Sequence, residues 1–296
     1  MLFKSYKIIF QQELSDLYDK SEIDAFFYLV LENFHGLKRI DLALSPDMVI
    51  DGLHLKKWKN AVKLLKTYMP IQYVLGGTEF CNLPFEVNFD TLIPRPETEE
   101  LVQLIIRNES KANRGGQKIN ILDVGTGSGC IAISLAKHIP NSEVVAIDIS
   151  SKAIEIANKN AKNNGVSVYF AKANILDLDN SNENEISKLN MGVKFDLIVS
   201  NPPYVRNIEK DQIRANVIDF EPHLALFVED SDPLIFYRKI LELSQNIIKP
   251  NGKLYFEINQ YLGRETFQLV EKYNFKNIQL KKDIYGNDRF IECSIN

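Results

Sequence analysis

The first candidate for a ligand-binding site is a glycine-rich segment, Ile121-Leu-Asp-Val-Gly125-Thr-Gly127-Ser-Gly129. An apolar run leads into three alternating glycines, and a helical pattern follows them. Glycine lets the backbone turn tightly and approach a ligand without a Cβ in the way, and a helix start offers unpaired N–H groups. The spacing matches neither the Gly-x-Gly-x-x-Gly of dinucleotide folds nor the Gly-Lys-Ser/Thr of a phosphate loop. The segment is compatible with a nucleoside site or with an ordinary strand-to-helix turn.

Asp148 favours the nucleoside site, because it ends the next predicted strand, where a carboxylate can accept hydrogen bonds from both ribose hydroxyls. No lysine or arginine in the glycine segment can meet a phosphate, which favours S-adenosylmethionine. Asp123 is then either the partner of that molecule's positive charge or a structural aspartate. Asn174 is either an adenine contact or an ordinary loop residue. The predicted cofactor-binding residues are Asp123, Gly125, Thr126, Gly127, Ser128, Gly129, Asp148, Asn174 and Asn201.

A second chemical signal is Asn201-Pro-Pro-Tyr204, which follows the fourth predicted strand. Ligands of a parallel sheet lie outside the carboxyl ends of its strands, so this turn and the glycine segment face one crevice. Two prolines stiffen the turn and remove N–H donors, so that it presents carbonyl oxygens. A planar NH2 group can donate one hydrogen to the Asn201 side chain and the other to the Pro202 carbonyl. Tyr204 offers an aromatic wall against which a flat group can stack.

An amide or exocyclic amine nitrogen is a poor nucleophile, because its lone pair is delocalised. Two acceptors on its hydrogens return electron density to the nitrogen and align it with the sulfonium methyl group of S-adenosylmethionine. We therefore predict an N-methyltransferase with Asn201, Pro202 and Tyr204 as catalytic residues. The same turn also suits an enzyme that methylates amino groups of DNA.

The elements that position these motifs change in character along the chain. Residues 1–70 show helical periodicity, and residues 71–92 show short extended pieces around turns, which predicts a hairpin-like connector. From about Ile119 onward, strands alternate with helices, which predicts an α/β fold with a mostly parallel, doubly wound sheet. Two final strands without a helix between them predict an antiparallel hairpin at one edge. The polar stretch 180–192 is expected to be a surface loop.

Composition limits the functional class. The chain has 296 residues, 45% of them hydrophobic and 25% charged, which is typical of a globular protein. We expect a cytoplasmic protein, because no long apolar run or secretory signal is visible. We also expect a monomer. Three separated cysteines and four histidines show no metal-ligand spacing, so no metal is expected. A net charge of −4 without a basic block argues against binding to nucleic acid.

Together these motifs resemble the HemK/PrmC family, the N5-glutamine methyltransferases of peptide chain release factors. The segments that carry the resemblance are Pro70-Ile-Gln-Tyr-Val-Leu-Gly-Gly77, Ile93-Pro-Arg-Pro-Glu-Thr-Glu99, Asp123-Val-Gly-Thr-Gly-Ser-Gly129, Asn201-Pro-Pro-Tyr204 and Phe220-Glu-Pro222. The resemblance implies a class I S-adenosylmethionine-dependent methyltransferase domain over 93–296, with a Rossmann-like, seven-stranded sheet. It also implies that the small N-terminal helical domain, 1–70, grips the release factor. Asn201 and Pro202 would hold the glutamine amide of a Gly-Gly-Gln loop.

The resemblance adds residues outside the two central motifs. Arg95 and Glu97 are predicted to line the wall near the substrate loop, with a structural ion pair as the alternative. Glu221 is predicted to contact the incoming peptide, with helix capping as the alternative. The family often has an acidic residue and an aromatic where this chain has Ala173 and Asn174, so we expect a differently built adenine pocket. The predicted substrate-binding residues are Asn201, Pro202, Pro203, Tyr204, Arg95 and Glu221.

The function that follows is methyl transfer from S-adenosylmethionine to the side-chain amide nitrogen of that glutamine, with S-adenosylhomocysteine as product. Two alternatives remain at this point. One is a DNA adenine N6-methyltransferase that uses the same Asn-Pro-Pro-Tyr motif on a flipped base. The other is a non-catalytic nucleoside-binding module.

Overall fold

The computed structural model describes residues 1–111, 117–178 and 194–295, so the loop predicted over 180–192 lies outside the described residues. The chain divides into two compact units. The first unit comprises Met1–Gly77 and Ala215–Phe220, and the second comprises Thr78–Arg214 and Glu221–Asn296. The first unit thus runs past residue 70 and takes in a segment from the middle of the predicted methyltransferase domain.

The first unit is helical. Its helices in the N-terminal part are α1 (Phe3–Leu14), α2 (Lys20–His35), α3 (Arg39–Leu44), α4 (Gly52–Leu65) and α5 (Ile71–Leu75). Its core surrounds Trp58, which is fully buried and packs edge-on against Tyr6 and Phe10. Asp51 caps α4 by accepting hydrogen bonds from the backbone N–H groups of Leu53 and His54.

The second unit begins with a two-stranded hairpin and continues as alternating strands and helices. Its strands are β1 (Gly77–Phe80), β2 (Leu83–Glu86), β3 (Ile119–Val124), β4 (Ser142–Asp148), β5 (Tyr169–Lys172), β6 (Phe195–Ser200), β7 (Val205–Arg206), β8 (Phe227–Val228), β9 (Ile248–Glu257), β10 (Lys276–Lys282) and β11 (Asp288–Ser294). The remaining helices are α6 (Pro96–Lys111), α7 (Cys130–His138), α8 (Ser151–Asn164), α9 (Ala215–Phe220, grouped with the first unit), α10 (Ile235–Ile247) and α11 (Gly263–Lys272).

The described residues of the second unit form a seven-stranded sheet in the order β10-β11-β9-β6-β3-β4-β5. Strands β5, β4, β3, β6 and β9 run parallel, and β11 and β10 form the antiparallel edge. This arrangement confirms the predicted class I methyltransferase fold. All six residues of β3 are buried, because helices cover both faces of the sheet with separate apolar clusters.

The sheet register brings the predicted functional residues to one edge. Val124 at the end of β3 pairs with Ile147 of β4 and with Ser200 of β6. Ser200 pairs in turn with Phe256 of β9. The residues that end or follow these strands therefore meet outside the carboxyl edge of the sheet, where ligands of parallel sheets bind. Over the described ranges, no helix combines the length and apolar character needed to cross a membrane.

Candidate active site

The glycine turn between β3 and α7 uses its glycines in two ways. Gly125, Gly127 and Gly129 all have positive φ, at 79°, 55° and 83°. A Cβ at Gly127 would meet open space, as expected where a ligand approaches the backbone. A Cβ at Gly129 would lie 2.8 Å from Ile133 Cδ1 and 3.1 Å from Ala157 Cβ. Gly129 is therefore required for close packing of α7 and α8, a role that the prediction of a cofactor contact did not include.

Asp148 ties the end of β4 to the glycine turn. Its Oδ2 accepts a hydrogen bond from Gly127 N at 2.8 Å, and its Oδ1 accepts one from Ser150 N at 2.8 Å. Burial raises the pKa of this carboxyl, and the backbone donors oppose that shift. Each carboxylate oxygen still has a lone pair for another donor. Asp148 thus combines a fixed position with spare acceptor capacity, which a pair of ribose hydroxyls requires.

Asp123 is fully buried at the end of β3. Its Oδ2 accepts a hydrogen bond from the Thr126 hydroxyl at 2.6 Å, whereas its Oδ1 has no hydrogen-bond partner among the described residues. Burial, with a smaller contribution from Asp148, raises the pKa of Asp123 to about 7. The Thr126 hydroxyl and the Ala132 backbone N–H oppose this shift. A buried carboxylate oxygen without a well-formed hydrogen bond suits a cationic or hydrogen-bonding ligand.

The Asn201-Pro-Pro-Tyr204 turn lies beside the glycine turn. The ideal Cβ position of Gly125 is 3.9 Å from the Asn201 carbonyl oxygen. Asn201 Nδ2 donates a hydrogen bond to Thr98 Oγ1 at 3.0 Å, and among the described residues its Oδ1 accepts none. Pro202 is buried, and Ser200 anchors the start of the turn by donating to the Val124 carbonyl at 2.7 Å. The two motifs predicted to share a crevice are therefore neighbours.

Tyr204 is held at both ends. Its hydroxyl donates a hydrogen bond to Glu257 Oε1 at 3.0 Å, and its backbone carbonyl accepts one from Asn259 Nδ2 at 3.0 Å. Burial, assisted by the charge of Glu257, raises the pKa of this phenol well above its usual range. Tyr204 is therefore neither a base nor an acid at neutral pH. The residue as a whole is partly exposed, which is compatible with the predicted role as an aromatic wall.

Comparison with known proteins identifies the family. A model described as the PrmC N-terminal domain matches residues 10–76, and one described as a methyltransferase domain matches residues 116–288. The release factor glutamine methyltransferase of Flavobacterium psychrophilum is 56% identical over 294 residues, covering 99% of both chains. The chain belongs to the release factor glutamine methyltransferase family. This confirms the predicted resemblance to HemK/PrmC.

Two further relatives carry the same name. The release factor glutamine methyltransferase of Bacteroides thetaiotaomicron is 41% identical, over 96% of this chain and 97% of the relative. That of Streptococcus pneumoniae is 35% identical, over 95% of this chain and 94% of the relative. Membership of the family makes the protein an S-adenosylmethionine-dependent methyltransferase, as predicted.

The glycine turn of this methyltransferase fits S-adenosylmethionine. Open space above Gly127 admits a ligand, Asp148 has spare acceptor capacity for ribose hydroxyls, and the unpartnered Oδ1 of Asp123 suits a positively charged amino group. Ser128 also has a buried hydroxyl without a partner in the described chain. The Thr126 hydroxyl donates its hydrogen to Asp123, so that only its lone pairs remain for a ligand. The individual cofactor contacts remain predictions.

The structure corrects the substrate-binding role predicted for Glu221. Its carboxylate is fully buried and accepts hydrogen bonds from Arg95 Nη2 at 2.5 Å and from Ile93 N at 3.1 Å. It therefore has no face for a peptide, and it caps no helix. For Arg95 the structural ion pair, weighed as the alternative, is the arrangement found. The Arg95 side chain remains 31% exposed, so its contact with the substrate stays a prediction.

Both ends of the Asn174 side-chain amide form hydrogen bonds within the turn that contains it. Its Nδ2 donates to Asp177 Oδ2 at 2.7 Å, and its Oδ1 accepts from Leu176 N at 3.1 Å. These bonds stabilise the turn after β5, as asparagine commonly does. The neighbouring Ala173 N donates to the Asp148 carbonyl at 2.9 Å, which keeps this turn beside the site. An adenine contact from Asn174 remains a prediction.

Two residues of the site were missed by the sequence reasoning. Thr98 Oγ1 donates to Glu257 Oε2 at 2.7 Å, and both residues are buried. Thr98 lies inside the Ile93–Glu99 segment, where only Arg95 and Glu97 were considered. The available signal for Glu257 was its position as the last residue of β9, an acid at the carboxyl end of a strand like Asp148. Within the described ranges, no cluster of three or more ligand-type side chains is able to hold a metal ion.

Proposed function

We propose that this methyltransferase transfers a methyl group from S-adenosylmethionine to the side-chain amide nitrogen of the glutamine in the Gly-Gly-Gln motif of a peptide chain release factor. The observation that carries the proposal is the acceptor turn at Asn201 and Pro202, whose backbone lies 3.9 Å from the ideal Cβ position of Gly125. The names of the three relatives also support a release factor glutamine as the substrate.

The acceptor turn suits a primary carboxamide. Asn201 Nδ2 donates a hydrogen bond to Thr98, and the side-chain oxygen of Asn201 remains available as an acceptor. Pro202 has no N–H, so its peptide group offers only a carbonyl oxygen. These two acceptors match the two hydrogens of one planar NH2 group. Tyr204, fixed at both ends, supplies a flat surface beside them.

The chain's own residues contribute alignment and electrostatics. S-adenosylmethionine, when bound, supplies an electrophilic methyl group. Asn201 and Pro202 accept both amide hydrogens, which returns electron density to the nitrogen and fixes the direction of its lone pair. Tyr204 and Glu257 are bonded to each other, so neither is a free base. The amide nitrogen becomes strongly acidic as its new bond to carbon forms, so its proton is lost to solvent and no strong base is needed.

We also propose the domain roles, the oligomeric state and the cellular location that the sequence predicts. The helical domain, 1–70, grips the release factor, the connector spans 71–92, and 93–296 performs the chemistry. The protein acts as a monomer in the cytoplasm, where translation terminates. Its net charge of −4 supports a protein substrate without a nucleic acid partner.

The test is mass spectrometry of a purified release factor after incubation with the enzyme and S-adenosylmethionine. We expect one additional methyl group on one glutamine, formed about a hundredfold more slowly with Asn201→Ala. A release factor in which the Gly-Gly-Gln glutamine is replaced is the matched substrate control. Methyl transfer to duplex DNA instead would support the adenine methyltransferase. Binding of S-adenosylmethionine without transfer to either substrate would support the nucleoside-binding module.

A further inference from the structure

We propose that Glu257 and Thr98 are positioning residues that hold the Asn201 side-chain amide in the one orientation that leaves its oxygen available to the substrate. The proposal rests on the proposed function, because that function requires Asn201 to accept a hydrogen bond. Neither residue belongs to the glycine turn or to the Asn-Pro-Pro-Tyr turn.

The first step concerns Glu257, which is 1% exposed at the end of β9. Its two carboxylate oxygens accept hydrogen bonds from two hydroxyls, Thr98 at 2.7 Å and Tyr204 at 3.0 Å. An ionised carboxylate has no hydrogen to donate, so both hydroxyls must donate to it. The direction of these two bonds is therefore set by chemistry.

The second step concerns Thr98, which is 3% exposed in the first turn of α6. Its hydroxyl has a single hydrogen, and that hydrogen is bonded to Glu257. Only lone pairs remain for the contact with Asn201 at 3.0 Å. The NH2 group of Asn201, and not its oxygen, must therefore face Thr98. The amide oxygen of Asn201 therefore points away from Thr98.

The orientation matters because an asparagine amide has a donor end and an acceptor end of nearly the same shape. With a neutral group in place of the carboxylate, Thr98 can accept from that group and donate to Asn201. The amide then has two comparable orientations, and one of them points NH2 at the substrate amide. A donor facing a donor repels the substrate and removes an acceptor from the nitrogen.

The surroundings of Glu257 act on its charge in both directions, and the net effect is a raised pKa because burial is the largest contribution. Burial raises the pKa of its carboxyl, and the hydroxyls of Thr98 and Tyr204 act in the opposite direction. The positive charge of Arg289 also favours the ionised form, whereas Glu97 opposes it. Arg289 is itself held by Asp283, whose Oδ2 lies 3.2 Å from Arg289 Nε.

The first experiment compares Thr98→Val with Thr98→Ser in methylation of a release factor. Valine keeps the shape and removes the hydroxyl, so we expect kcat to fall about tenfold or more while the Kd of S-adenosylmethionine changes less than about twofold. Serine keeps the hydroxyl, so kcat should stay within about threefold. Thr266→Val is the matched control, because Thr266 on α11 is also buried and its hydroxyl donates to the carbonyl of Leu262, the residue before that helix.

The second experiment uses Glu257→Gln, which keeps the shape and allows donation to Thr98. We expect kcat to fall about tenfold, and we expect the Thr98→Val/Glu257→Gln double variant to be no slower than Thr98→Val alone, because both changes act through one amide. Melting temperatures are recorded for each variant. This series does not depend on Thr98→Val folding well, because Thr98→Ser and Glu257→Gln can be compared without it.

The outcomes separate the two proposals. Wild-type enzyme that methylates no release factor would refute the proposed function. An active wild type in which Glu257→Gln keeps kcat within about twofold would overturn the positioning role alone. Parallel losses in kcat and cofactor affinity, or a double variant whose effects multiply, would also overturn it.

Discussion

Arg95 and Glu221, 126 residues apart in the chain, form an ion pair in which the Glu221 carboxylate is completely buried. Arg95 lies in the segment before α6, and Glu221 lies just after α9. Glu221 also accepts from the Ile93 backbone, so one carboxylate holds two parts of that segment. Two motifs that the sequence presents separately are thus one structural unit.

Arg95→Met should therefore destabilise the protein. Removing the guanidinium leaves Glu221 as a buried charge without its counter-ion, which we expect to cost about 1–3 kcal/mol because Arg95 is partly exposed and the Ile93 N–H still donates to Glu221. The Arg95→Met/Glu221→Gln double variant should recover much of that loss. Urea unfolding measures both. Because Glu221 is buried, Glu221→Gln should leave the KM for the release factor unchanged, and a raised KM would restore the predicted peptide contact.

Asn201→Ala should reduce catalysis much more than cofactor binding. The alanine removes the oxygen that accepts a hydrogen from the substrate amide, and we expect kcat to fall about a hundredfold or more. The Kd of S-adenosylmethionine, measured by calorimetry, should change little. Equal losses in kcat and in cofactor affinity would assign the Asn201 side chain to the cofactor.

Asp148→Ala should chiefly weaken S-adenosylmethionine. The change removes the carboxylate beside the glycine turn and the acceptor for Gly127 N. We expect the Kd to rise about tenfold to a hundredfold, as for loss of a charged hydrogen-bond partner. Calorimetry gives the value, with Asp47→Ala as the control, because Asp47 is an exposed carboxylate of the first unit that pairs with Lys4. An unchanged Kd would place the ribose elsewhere.

Cofactor binding should depend on the protonation of Asp123. Its pKa is raised to about 7 in the free protein, so below pH 7 the carboxyl is mostly neutral and must lose a proton to meet a cation. Affinity for S-adenosylmethionine should therefore be about tenfold weaker at pH 6 than at pH 8. Calorimetry in buffers of different ionisation enthalpy should show proton release at pH 6. Asp123→Asn should weaken binding and flatten this pH dependence. If the affinity of the variant depends on pH as steeply as that of the wild type, a group other than Asp123 is responsible.

Alanine substitutions should distinguish the roles of the glycines. Gly129→Ala places a methyl group 2.8 Å from Ile133 Cδ1 at a φ of +83°, so it should lower the free energy of unfolding by about 2–3 kcal/mol. Gly127→Ala meets open space and carries only the conformational cost of about 1–2 kcal/mol. Its larger effect should be on S-adenosylmethionine affinity. Urea unfolding and calorimetry test the pair, and equal destabilisation would contradict the packing role.

Much of the fold and part of the site follow from the sequence by itself. The glycine segment, Asp148 and the Asn201–Tyr204 turn are local patterns, and each marks the carboxyl end of a predicted strand. Parallel strands bring such ends to one edge, so the crevice is predictable without knowing a single contact. The alternation of strands and helices likewise determines the layered sheet, because both faces must be covered.

Only the tertiary structure decided which side chains support that crevice. Thr98 and Glu257 are 159 residues apart and are joined by a hydrogen bond that local periodicity does not reveal. The same holds for Arg95 and Glu221, where burial turned a predicted substrate contact into an internal ion pair. Register, side-chain direction and desolvation act between distant segments, and they exist only once the sheet has formed.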